Sequence, residues 1–69
     1  MTQTDERMMK WFHTSHLTDQ NARKIAKAYQ ELAEYTITVL DPGPERTVAL
    51  RKLLEARDAA VRAVIHPGG

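Results

Sequence analysis

The sequence predicts an all-α chain: a short N-terminal helix followed by a long antiparallel helical hairpin, assembled as a homo-oligomer. Three observations predict it. Apolar and small residues recur at Thr18, Ala22, Ile25, Tyr29, Leu32, Thr36 and Val39, alternating steps of four and three, which is the spacing of one helix face. Asp41-Pro42-Gly43-Pro44 interrupts the pattern, and two prolines and a glycine do not sit in a helix interior. Beyond the break the helical period resumes and runs to Ile65, where His66-Pro67-Gly68-Gly69 ends it.

Taken in order, residues 1–69 form a single helical-hairpin domain, with a short helix over 5–12, a helix over 18–40, a turn at 41–44 and a helix over 45–65. Thr4 reads as the N-cap of the first helix, with Asp5 and Glu6 in the turn where the helix dipole favours acids. This helix is too short to persist alone in water and must dock Met8, Met9, Trp11 and Phe12 on something else. His13 to Leu17 form a connector. Thr18 followed by Asp19 opens the second helix by the same capping logic. The run Tyr35-Thr36-Ile37-Thr38-Val39 has strand propensity, yet it keeps the helical phase and meets a breaker, so it is read as helix. Pro44 suits the first turn of the third helix, and Glu45 suits its positive end.

Assembly follows from size. A chain of 69 residues without cysteine has a small core and no disulfide to reinforce it, which leaves a metal or self-association. The third helix carries two apolar stripes, Leu50, Leu54, Val61 and Val64 on one, Ala49, Leu53, Ala56, Ala60 and Ala63 on the other. One partner helix cannot cover both. The leucine-valine stripe is expected to pack on the second helix, and Ala49, Leu53, Ala56, Ala60 and Ala63 to form the oligomer interface. The competing reading is that alanine fills helix surface as the best helix former.

Ten Lys and Arg against nine Asp and Glu give a net charge of +1, which supplies no global case for nucleic acid or an anionic membrane surface, so DNA binding is not expected. No apolar run approaches the ~20 residues of a membrane span. Met1 to Arg7 is polar and unlike a signal peptide; the expectation is a cytoplasmic protein. There is no Cys nucleophile, no glycine-rich phosphate loop and no Ser/His/Asp arrangement, so neither catalysis nor a cofactor is expected. His13 and His16 lie three apart and His66 is distant, a poor basis for a zinc site without thiolates, and no metal is expected.

The candidate site is an anion site. Arg23, Lys24 and Lys27 occupy the N-terminal half of the second helix and Glu31 and Glu34 the C-terminal half, opposite to what the helix dipole prefers. Pairing of Lys27 with Glu31 four residues on is one explanation. The other is that these cations, with Trp11, Phe12, His13 and His16 just upstream, provide the charge and flat surfaces that a nucleotide needs. In the third helix, Arg51 with Glu55 and Asp58 with Arg62 are spaced as surface ion pairs. Arg57 falls inside the apolar stripe, where it snorkels, pairs with an acid of a neighbouring subunit, or lines an anion pocket.

Glu45-Arg46-Thr47-Val48-Ala49-Leu50-Arg51-Lys52-Leu53-Leu54-Glu55-Ala56, continued by Ala60 to Ile65, resembles the C-terminal helix of small bacteriophage hairpin proteins with an E-R-x-x-A-L-x-x-L-x-E-A core. Trp11-Phe12, His16-Leu17 and Leu32-Ala33 resemble the same family upstream. That family is similar to phage anti-CBASS cyclic-oligonucleotide sponges and related anti-Thoeris proteins. The resemblance implies a compact hexamer that sequesters a cyclic di- or trinucleotide immune signal in pockets between protomers, without cleaving it, in the cytoplasm of an infected bacterial host. It implies an aromatic ring on a base and basic side chains on the phosphates, a role open to Trp11, Phe12, His13, His16, Arg23, Lys24, Lys27, Arg57 and Arg62. Thr14 stands where many relatives carry an aromatic, so stacking would fall to Trp11, Phe12 or His13. The alternative is a small phage interaction module whose apolar N-terminal helix binds and inhibits a host protein.

Overall fold

A computed structural model describes residues 3–12 and 17–68. They form three helices, α1 Gln3–Lys10, α2 Gln20–Val39 and α3 Pro44–Ile65, and no strand occurs among the described residues. None of these helices is long and apolar enough to cross a membrane.

The helix ends differ from the sequence expectation in instructive ways. α1 begins at Gln3, so Thr4 lies inside it rather than capping it. α2 is capped by Asp19, not Thr18: the Asp19 backbone is extended and its Oδ1 accepts from the Ala22 N–H at 2.9 Å. A cap of this kind is worth about 1 kcal/mol, so Asp19→Ala should lower the thermal midpoint by several degrees with helical content retained below it, as read by circular dichroism. The β-branched end of α2 stays helical with the help of its own hydroxyls. Thr36 Oγ1 donates to the Leu32 carbonyl at 2.8 Å and Thr38 Oγ1 to that of Glu34 at 2.9 Å, the back-bonding open to Thr within a helix. Gly43 holds the N-cap of α3 with no side-chain cap, and Pro44 follows in the first turn.

Two clusters form the core. Ala22 and Ala26, early in α2, meet Val61, late in α3, with Leu17, Ile25 and Val64 around them. Ala33, late in α2, meets Leu50, early in α3, and Phe12 from the segment after α1, with Met8, Met9, Tyr29, Ile37, Leu53 and Leu54 packed against them.

The core face of α2 follows the expected stripe at Ala22, Ile25 and Tyr29 and leaves it beyond them. Ala22, Ala26 and Ala33 are fully buried, whereas Leu32 and Val39 are about half exposed. The physical reason lies in α3, which brings Leu50, Val61 and the long Arg57 to the contact; small residues opposite large ones let two helices approach and interdigitate. The alanines that allow close approach within the chain thus belong to α2. Of the α3 stripe, Leu53 packs against the core cluster, Ala49 and Ala60 are half-buried, and Ala56 and Ala63 are exposed.

Candidate functional site

The densest polar constellation joins all three helices, and sequence reading passed over it. Asp5 on α1 and Arg46 on α3 are both buried. Arg46 Nε donates to Asp5 Oδ2 at 2.8 Å, and Thr47 Oγ1 donates to Asp5 Oδ1 at 2.8 Å. Arg46 Nη1 reaches the end of α2, donating to the Leu40 carbonyl at 2.9 Å and more weakly to that of Ile37 at 3.4 Å. Those carbonyls belong to a helix C-terminus that lacks intrahelical partners, and a guanidinium satisfies them while the dipole there favours its charge. A signal for this role was present. Arg46 lies one helical turn before Leu50, in the phase of Leu50, Arg57 and Val61, so the same argument that singled out Arg57 applies to it.

The aromatic pair Trp11-Phe12 is split by the fold. Backbone N–H groups of Trp11 and Phe12 donate to the carbonyls of Met8 and Met9 in a tight turn beyond α1. This turn drives Phe12 into the core at 0% exposure and leaves Trp11 outside at 67%. Phe12 is thereby corrected from a ligand-stacking residue to a core residue: a ring enclosed by Ala33 and Leu50 offers no face to a base. Trp11 lines an open concavity of about 400 Å³ with Arg7 and Lys10, two cations at the last turn of α1 that the sequence reading had not enlisted.

The remaining candidates do not converge on Trp11. Arg23, Lys24 and Lys27 are exposed on α2. Arg62 lines a separate concavity of about 460 Å³ with Ala59, Ala63, His66 and Gly68 near the end of α3. Arg57 is buried in the seam, and its Nη1 donates to Asp58 Oδ1 at 2.9 Å; it pairs within the chain. The surface pairs also shift: Asp58 takes Arg57 rather than Arg62, and Glu55 approaches Lys52 at 3.7 Å rather than Arg51. No ion pair joins Lys27 to Glu31 among the described residues. His13 and His16 lie outside the described residues.

The apolar N-terminal helix of the interaction-module reading is likewise turned inward. Met8 and Met9 pack against the Phe12 cluster, which leaves Trp11 as the large exposed hydrophobic of this region. Comparison with protein-family models, with curated proteins and with solved structures finds no match to this chain.

Proposed function

We propose that this chain is a non-catalytic binding protein that sequesters a cyclic di- or trinucleotide signal, as a phage anti-defence sponge built from copies of an antiparallel helical hairpin. The observation that carries this reading is Trp11, two-thirds exposed beside Arg7 and Lys10 in one concavity. An exposed indole face next to two cations suits a ligand that is flat and anionic at once, because the ring stacks on a base while the cations meet its phosphates. The hairpin itself is supported by the pairing of early α2 with late α3 and of late α2 with early α3 in the two clusters. A hexamer, pockets between protomers and a cytoplasmic setting come from the family resemblance. In such an assembly, Arg23, Lys24, Lys27 or Arg62 of a neighbouring hairpin would complete the charge around Trp11. Burial of Phe12 and partial burial of Met8 and Met9 weigh against the host-protein module, which would have had them as its contact surface.

The chain contains a single tryptophan, so the proposed stacking has a direct optical readout. Titration with cyclic di- and trinucleotides should give saturable quenching of Trp11 emission, with linear dinucleotides and inorganic phosphate as controls. Arg7→Ala and Lys10→Ala should each weaken binding by roughly tenfold to more than a hundredfold, in line with about 1.5–3 kcal/mol for a charged hydrogen bond. Unchanged emission, together with no heat in calorimetry for any cyclic nucleotide, would exclude this ligand class.

A further inference from the structure

α1 is fastened to the hairpin at two points that differ in kind. At about 100° per residue, Asp5, Met8 and Met9 fall on one arc of α1, and Arg7 and Lys10 on the opposite one. The inward arc leads into Phe12, which is buried with Met8 and Met9 packed on its cluster and anchors the C-terminal end of α1. Apolar burial is non-directional, so this anchor fixes where that end lies and leaves an 8-residue helix free to pivot about it. The N-terminal end is held by direction. Asp5 Oδ2 accepts from Arg46 Nε and Asp5 Oδ1 from Thr47 Oγ1, both at 2.8 Å, and hydrogen bonds to a charged group are short and depend on angle. Arg46 is in turn tied to the Leu40 carbonyl at the end of α2, so α1 is aligned to the hairpin as a whole.

Arg7, Lys10 and Trp11, which line one concavity, all lie on α1 or the turn after it. The geometry of that concavity is therefore the geometry of α1, and a helix this short does not keep its form in water unless it stays docked. We propose that Thr47 is a positioning residue for the concavity: its hydroxyl holds Asp5, and through Asp5 it sets the tilt and rotation at which α1 presents Arg7, Lys10 and Trp11. The hydroxyl has one proton, and its contact with the Gly43 carbonyl is longer, at 3.3 Å, so Asp5 receives it. Arg46 holds the other carboxylate oxygen, but it also joins α1 to α2, so its loss does not separate alignment from stability. Loss of the Thr47 hydroxyl does, since valine keeps the branched shape of threonine and removes only that group. The effect on ligand rests on the reading of the concavity as a binding site; the effect on α1 does not.

Backbone nitrogen-15 relaxation makes the separation, because it reads the folded molecule without ligand. In the native chain, order parameters over Arg7 to Trp11 should match those of α2 and α3 at about 0.85, and in Thr47→Val they should fall toward about 0.6 while α2 and α3 keep theirs. A hydroxyl that served stability alone would lower the unfolding midpoint and leave the order parameters of the folded chain unchanged. Thr47→Ser, which retains the hydroxyl, should restore the native values. Calorimetry with cyclic di-AMP or cyclic di-GMP, whichever the native chain binds, should show affinity roughly three- to tenfold weaker in Thr47→Val and native in Thr47→Ser. This loss is smaller than at Arg7 or Lys10 because only the fraction of correctly placed α1 changes. Native order parameters in a folded Thr47→Val chain, a fall shared equally by α2 and α3, no rescue by Thr47→Ser, or a loosened α1 that binds as tightly as the native one would each overturn the proposal. Should Thr47→Val fail to fold, Thr47→Ser decides: native order parameters sustain the role of the hydroxyl, and a loosened α1 assigns it to the lost methyl group and overturns it. If the native chain binds neither probe, the ligand reading fails for them, and the order parameters still decide whether Thr47 aligns α1.

Discussion

Arg46→Ala should leave the chain largely unfolded at 25 °C. Its guanidinium meets a buried carboxylate on α1 and two carbonyls at the end of α2, and removing it takes from Asp5, itself fully buried, the counter-ion of its charge. Breaking a buried pair from one side costs about 3–5 kcal/mol. A single core in a chain of this size seldom supplies more than ~3–5 kcal/mol in total, so the loss is comparable to the whole stability. Asp5→Ala should be nearly as damaging, because it leaves the Arg46 charge without its counter-ion. Replacing both with apolar residues, Asp5→Leu with Arg46→Met, should recover a large part of the loss, since it removes the uncompensated charge instead of creating one. The measurement is urea or thermal unfolding followed by circular dichroism. An Arg46→Ala midpoint within a degree or two of the native one would show that the network is incidental to stability.

This network also marks where sequence reading runs out. Helix content, the break at Pro42-Gly43-Pro44 and the α3 stripe of Leu50, Leu54, Val61 and Val64 follow from period and from breakers, which are local properties. Partner choice is not local. Asp5 lies 41 residues from Arg46, and an acid in the first turn of a helix already has a sufficient local explanation in the dipole. The seam of α2 holds in its first half, where Ala22 is buried and Ile25 and Tyr29 pack on the core, and departs from expectation in its second, where Leu32 and Val39 are about half exposed. From Ala22 the seam can be continued through Leu32 and Val39 or, less conspicuously, through Ala26 and Ala33, and hydrophobicity alone favours the larger residues. What decides is the bulk of the opposing helix, which brings Leu50, Arg57 and Val61 to the contact and favours alanine at the closest positions. In the candidate site, the exposure of Trp11, the burial of Phe12 and the nearness of Arg7 and Lys10 to Trp11 all depend on a turn whose direction the sequence does not spell out.

That turn makes the two neighbouring aromatics a decisive pair. Phe12→Ala should destabilise the chain by about 3–5 kcal/mol, the range for truncating a buried aromatic, because Phe12 is the largest fully buried side chain described and joins α1 to Ala33 and Leu50. Truncation would leave a void between three elements, and Met8 and Met9, which pack on the same cluster, are flexible enough to fill part of it; the lower end of the range applies if they do. Trp11→Ala should do the opposite. An indole two-thirds exposed makes little contribution to the core, and surface substitutions of this kind usually change stability by no more than about 0.5 kcal/mol. On the proposed function its effect is on binding: loss of a base-stacking ring costs about 1–3 kcal/mol, which predicts a weakening of roughly five- to more than a hundredfold in the dissociation constant of a cyclic nucleotide, measured by calorimetry since the fluorophore is gone. Trp11→Phe should retain part of the affinity through its smaller ring, and Phe12→Leu should retain the fold and leave binding intact. The reverse pattern, a stable Phe12→Ala chain that no longer binds beside an unfolded Trp11→Ala chain, would exchange the roles of the two rings and remove the site from Arg7, Lys10 and Trp11.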